Sequence, residues 1–263
     1  MSCPVAMDER QGSRGRAARI ELLGIPVDPL TPQNLLEKVS YAAEASDRAR
    51  LLFCLNVNYV NLAQGDPQLL KCFQGADTVY ADGMGILWGA RMLGHCLPAK
   101  ITVTDFIDLL GARAAQRGYG LFFLGGEPGR AEEAGHRLAV RYPGLRIVGI
   151  HHGFFAPQDE PRLVDSIRKA APQILLVGLG APHQEQWLTR NRAVLPPCAG
   201  LTCGALFDFV SGHLPRGPQW LTDHGLEWAW RLVIEPRRLW RRYLLGNPIF
   251  LIRVWRSRRG GGR

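Results

Sequence analysis

Short apolar runs recur along the chain at 51–57 (LLFCLNV), 77–81 (DTVYA), 120–126 (GLFFLGG), 145–150 (LRIVGI), 173–180 (QILLVGLG) and 198–204 (CAGLTCG). Between them, 104–117, 129–141 and 182–194 have the length and polarity of surface helices. Strands that are apolar throughout, alternating with helices, predict an α/β fold: a mostly parallel, Rossmann-like sheet with helices on both faces. No repeat of fixed period interrupts this pattern.

In such sheets ligands bind beyond the carboxyl ends of the strands. Asn56, Asp82, Gly125 and Gly126 of LGGEPG, and Gly180 of VGLGAP all stand at strand ends and so can share one rim. The spacing G-G-E-P-G matches neither the dinucleotide fingerprint nor a P-loop, so alone it fits a ligand loop and an ordinary tight turn equally. In VGLGAPHQEQWL, Pro182 is placed at a first helical position, ahead of His183, Gln184 and Glu185. Glu185 reads as a partner of the helix dipole, and Gln184 either as solvated or as projecting onto the rim of Asp82, the reading its company favours. Asp82 itself has two readings, the N-cap of a helix over GMGILWGARML or a carboxylate that takes a proton from a hydroxyl.

Composition is that of a soluble globular chain, 46% hydrophobic and 21% charged. Residues 1–18 lack periodicity and an apolar stretch, which predicts a disordered leader and no secretory signal. The six cysteines are scattered, with no C-x-x-C pair, as expected of a reduced, cytosolic setting. His151 and His152 have no cysteine or carboxylate at metal-ligand spacing and read as loop histidines.

Charge divides the chain. Of the net +9, the segment 214–263 carries +8, from 11 arginines against Asp223, Glu227 and Glu235, and it holds five of the seven tryptophans. A near-neutral body at 19–213 is thus followed by a basic, tryptophan-rich appendage at 214–263 that is helical in pattern. In EPRRLWRRYLLG, Pro236 can open a helix; Arg237, Arg238, Arg241 and Arg242 then share an arc of about 140°, opposite Leu239, Trp240, Tyr243 and Leu244. This suits an anionic membrane surface; packing on the body and phosphate contact with a nucleic acid are the alternatives. The following YLLGNPIFLIRVW is too short, and too broken by Gly246 and Pro248, to cross a bilayer, so the chain is expected to lie on it.

Five ordered blocks, CLNVNYV, ADGMGI, KITVTDF, GLGAPHQEQW and RGPQWLTDHGLEWAWRLVIEPRRLWRRYL, resemble the WecG/TagA/CpsF glycosyltransferases over about 20–255. The resemblance implies an inverting transferase that moves a sugar from a UDP-sugar, such as UDP-N-acetylmannosamine or a related hexose or uronate, to a prenyl-diphosphate-linked saccharide in cell-surface polysaccharide synthesis. It makes Asp82 the catalytic base, with Cys54, Asn56, Lys100, Gln184, Arg231, Arg238 and Arg241 at substrate-binding positions. Cys54 stands where the family has threonine and Lys100 at the family's basic position before VTG; Asn58 replaces a frequent acid and Gly217 a frequent alanine. No D-x-D is present and arginines are at hand for the leaving diphosphate, so metal independence is expected, with no cofactor beyond the donor. The implied setting is the cytoplasmic face of the plasma membrane, reached through 214–263, with no nucleic-acid partner and with room for a homo-oligomer of the body. A non-catalytic membrane or nucleic-acid binder using the tail alone is the competing reading; an oxidoreductase is disfavoured by the missing fingerprint.

Overall fold

A computed structural model describes residues 18–218, 221 and 227–260; the leader expected at 1–18 lies, apart from Ala18, outside them. An antiparallel pair, β1 (Ile20–Leu22) and β2 (Ile25–Val27), precedes the main sheet. The sheet itself consists of β3 (Arg50–Leu55), β4 (Thr78–Ala81), β5 (Gly120–Gly125), β6 (Arg146–His151), β7 (Ile174–Gly178) and β8 (Ala199–Thr202). All neighbours run parallel, in the order β4-β3-β8-β7-β5-β6. Every residue of β4, β5 and β8 is buried, whereas the edge strand β6 is half-buried or exposed. Helices on both faces exclude water from the inner strands, which is why their sequence is apolar throughout rather than alternating.

The flanking helices in the body are α1 (Pro32–Glu44), α2 (Val57–Ala63), α3 (Pro67–Gln74), α4 (Met84–Met92), α5 (Val103–Arg117), α6 (Arg130–Arg141), α7 (Glu160–Ala170), α8 (His183–Asn191) and α9 (Leu206–Val210). Their starts are encoded locally. Thr31 and Asn34 form a reciprocal capping box on α1, Asp66 caps α3, and Pro67 occupies the first turn of α3, where its missing N–H costs nothing. Pro182 sits one position earlier than expected, as the cap of α8 rather than its first residue.

The C-terminal segment is helical and lies against the body. It contains α10 (Glu227–Ile234), α11 (Pro236–Trp240), a π-helical turn at Arg241–Leu245, and α12 (Gly246–Gly260). Pro236 opens α11 as expected, but Gly246 and Pro248 do not break the helix. The N–H that Pro248 lacks would have donated back into the widened π turn, so the ladder absorbs it there. The same turn undoes the simple segregation of the four arginines from the apolar arc. Leu239 is buried and Arg242 and Tyr243 half-buried, while Trp240, Arg241, Leu244 and Leu245 are exposed.

Two contacts fix α12. Asn61 of α2 donates to the Gly246 carbonyl (2.7 Å) and accepts from Arg253 Nη1 at its side-chain oxygen (2.8 Å). Phe250, 1% exposed, occupies the space over Gly89 of α4, where an added Cβ would lie 2.5 Å from Phe250 Cζ. At the other end of the segment Arg216 pairs with Asp105 of α5. Trp230 lies over Gly217, where an added Cβ would meet its Cγ at 3.1 Å, so alanine there would require the indole to give way by a few tenths of an ångström. Among the described residues no helix is long and apolar enough to cross a membrane. Cys54, Cys72, Cys198 and Cys203 are buried free thiols.

Candidate active site

The register of the sheet builds the site. Leu55 of β3 pairs with Ala81 of β4, so the next residues, Asn56 and Asp82, emerge side by side at the carboxyl edge. The Asp82 N–H donates to the Leu55 carbonyl (2.7 Å), extending the ladder one step beyond the strands. Asn56 caps α2: its Oδ1 accepts from the N–H groups of Asn58 (3.1 Å) and Tyr59 (3.3 Å). That cap leaves Nδ2 pointing at Asp82, to which it donates at 3.3 Å. Asp82 does not cap α4; that position is Gly83, at φ 91°, and it makes no side-chain cap bond. The glycine provides a left-handed turn that a side chain would strain, and the carboxylate is left free of a structural duty.

Asp82 lies on a cleft of about 600 Å3. Residues at the carboxyl ends of β3, β4, β7 and β8 form its floor, namely Cys54, Asn56, Asp82, Gly180 and Gly204. Lys100 reaches it because Ile101 donates to the Ala81 carbonyl (2.8 Å), drawing that loop alongside β4. The C-terminal segment supplies the opposite wall with Glu227, Arg231, Arg238 and Arg242. Burial pushes the Asp82 carboxyl from 3.8 up to about 6; the Asn56 amide opposes the rise, Glu227 adds to it, and Arg242 and Arg231 oppose it. A carboxylate so poised is ionised roughly ten to one at pH 7 and is still basic enough to accept a proton.

Of the residues expected at the site, Cys54, Asn56, Asp82, Lys100, Gly180, Arg231 and Arg238 line the cleft together. Gly125 and Gly126 do not, because β5 lies on the far side of β7. Gly125 instead permits close strand packing, since a Cβ there would lie 2.4 Å from the Gly178 carbonyl oxygen. Arg241 points away, exposed and stacked on the Trp240 ring. Arg242, one residue on, takes the place in the cleft, and its Nε is buried without a hydrogen-bond partner among the described residues.

Gln184 is also displaced from the rim. It is wholly buried behind the wall, where Nε2 donates to the Tyr59 hydroxyl and to Glu185 Oε1, both at 2.7 Å, and Oε1 accepts from the Gly204 N–H at 3.1 Å. Tyr59 and Gly204 themselves border the cleft, so Gln184 shapes it at one remove. Glu185, read as a partner of the helix dipole, is wholly buried; burial raises it from 4.5 to about 8, against bonds from Gln184 and Tyr59. Cys54 is buried beside Thr202, whose hydroxyl accepts from the Cys54 N–H (3.1 Å), and burial holds the thiol well above its ordinary range. It is therefore a neutral wall group. Among the described residues no three His, Cys, Asp or Glu side chains group as metal ligands.

The profile of the WecG/TagA/CpsF family of glycosyl transferases matches residues 20–263. Among curated proteins, an N-acetylglucosaminyldiphosphoundecaprenol N-acetyl-beta-D-mannosaminyltransferase of Bacillus spizizenii is 28% identical over 201 residues, which cover 76% of this chain and 77% of that protein.

Proposed function

Since the chain belongs to the WecG/TagA/CpsF family of glycosyl transferases, we propose that it moves a sugar from a UDP-sugar to a saccharide carried on a prenyl diphosphate, with inversion and without a metal ion. The observation that carries this reading is Asp82, held by Asn56 on the floor of a cleft whose opposite wall bears Arg231, Arg238 and Arg242. The acceptor hydroxyl gives its proton to Asp82 as its oxygen attacks the anomeric carbon from the face opposite UDP. The bond to the donor diphosphate breaks, and its electron pair leaves on the phosphate oxygen. Arginines across the cleft stabilise that charge as it develops, the task a metal ion performs in other nucleotide-sugar enzymes. Relay positions for the sugars fall to Asn56, Lys100 and the backbone at Gly180 and Gly204. The relative's name, an undecaprenyl-diphosphate sugar as acceptor and a mannosaminyl group transferred, supports the substrate class.

The segment 214–263 serves as the docking appendage on the inner face of the plasma membrane. Support comes from its outer surface, where Trp240, Leu244, Leu245, Ile249, Ile252 and Trp255 are exposed among Arg237, Arg241, Arg256, Arg258 and Arg259. Arginine and indole together suit anionic headgroups. Because the same segment walls the cleft, docking and catalysis are coupled.

The deciding experiment is a transfer assay of the full chain with EDTA present, offering a panel of UDP-sugars and a short-chain prenyl-diphosphate saccharide, and reading UDP release and product mass. Product from one donor, lost in Asp82→Asn, is the expected result. Undiminished transfer by Asp82→Asn, or transfer only with added magnesium or manganese, overturns the mechanism. Full activity on a water-soluble acceptor after removal of 214–263 overturns the role given to the appendage.

A further inference from the structure

We propose that the mouth of the cleft is a prenyl subsite, in which Met84 and Trp88 of α4 and Leu251 of α12 receive the first isoprene units of the acceptor lipid. The proposal rests on the reaction given above and adds to it the place where the acceptor's apolar part is read.

α4 begins immediately after the Asp82-Gly83 corner, so its residues lead outward from the base. Met84 and Trp88 are four apart and both border the cleft, one above the other on a single helical face. At about 1.5 Å per residue, Trp88 stands about 6 Å further along the axis than Met84. On α12 the cleft-facing residues are Asn247, Phe250 and Leu251, again at helical spacing. The seating of Phe250 over Gly89 locks these two helices side by side, so the faces form one preformed surface.

This surface is apolar and open. Trp88 is 48% exposed and Leu251 38% exposed, although both border the cavity that holds the catalytic carboxylate. Membrane docking by the C-terminal segment does not account for Trp88, which belongs to a helix of the body. Charge complementarity identifies the occupant. Arg231, Arg238 and Arg242 border the same cavity, and three guanidinium groups can face the acceptor's diphosphate as well as the leaving diphosphate of the donor. A prenyl diphosphate joins that anionic head directly to a branched hydrocarbon, so a site that holds the head needs an apolar path beginning beside it. α4 and α12 provide one.

The test uses the full chain in detergent-free solution and compares the dissociation constants of farnesyl diphosphate and inorganic diphosphate. Burying one methylene-sized carbon strengthens binding about fourfold. The unsubstituted chain is therefore expected to prefer farnesyl diphosphate by at least about tenfold. Trp88→Ala and Leu251→Ala should each reduce that ratio, and together bring it to about one, while Trp88→Phe retains most of it. Inorganic diphosphate, measured in every variant, reports whether the arginine wall is intact. Equal affinity for the two ligands in the unsubstituted chain, or a ratio unmoved by the double substitution, overturns the proposal.

Failure of the subsite and failure of the reaction are distinguishable. Preferential farnesyl diphosphate binding by a chain that transfers no sugar discards the reaction and keeps the subsite. Transfer to a prenyl-linked acceptor with no dependence on prenyl length discards the subsite and keeps the reaction.

Discussion

The Asn56 side chain divides its two ends between scaffold and chemistry: Oδ1 caps α2, and Nδ2 donates to Asp82 Oδ2 at 3.3 Å. The bond favours the ionised carboxylate and so holds down a pKa that burial has raised to about 6. The plot of kcat/KM against pH should fall on the acid side near pH 6. Asn56→Ala removes the stabilising donor, so its acid limb should move to higher pH, with lower activity at neutral pH. An unmoved limb would show that Asp82 is not the group being titrated.

Charges on the C-terminal segment act on the same carboxylate with opposite signs. Glu227 raises the Asp82 pKa, whereas Arg242 and Arg231 lower it. Glu227→Gln should therefore shift the acid limb to lower pH, and Arg242→Ala should shift it to higher pH. Arg242→Ala should also lower kcat by about tenfold to a hundredfold through loss of leaving-group stabilisation, read in single-turnover kinetics. Limbs that stay in place in both variants would mean that the segment does not lie over the site during turnover.

Glu185 makes a stability prediction. Its carboxyl titrates at about 8 in the fold against an ordinary value of 4.5, so between those values the folded chain keeps a proton that the unfolded chain has lost. Stability should fall as pH rises through this window, by up to about 1.4 kcal/mol per pH unit from this group. Glu185→Gln, neutral at all pH, should flatten the dependence of unfolding free energy on pH above about 5. Denaturant titrations of both proteins from pH 5 to 9 measure it.

Filling the space over Gly89 should unseat α12. An added Cβ would lie 2.5 Å from Phe250 Cζ, and Phe250 is too enclosed to swing aside. Gly89→Val should cost about 1–3 kcal/mol by overpacking. It should also quicken proteolytic cleavage within 214–263 while the sheet keeps its far-ultraviolet signal.

Much of this arrangement was legible in the sequence. The apolar runs marked all six strands of the sheet because each inner strand is covered on both faces, and Asn56 and Asp82 were marked by standing at strand ends. Strand order was not legible, since periodicity reports burial and not pairing; without it Gly125 and Gly126 could be placed on the wrong side of β7. Gln184 was taken for a rim residue because proximity to a strand end does not say whether a side chain points into the cleft or behind it. Arg241 was carried over from the family resemblance; a regular wheel puts it on one arc with Arg242, and the π turn separates the two. The short β1–β2 pair was missed because three-residue strands carry too little pattern.

The seat of Phe250 on Gly89 also bears on how the protein is handled. A chain cut before α12 loses more than a basic tail. It bares a socket floored by Gly89, with Leu22 at its edge, and strips the partner from Asn61. Such a fragment carries a freshly made sticky spot that the intact chain never shows to solvent. Self-association of truncated preparations would then be a scar of the cut and no evidence of how the intact chain associates.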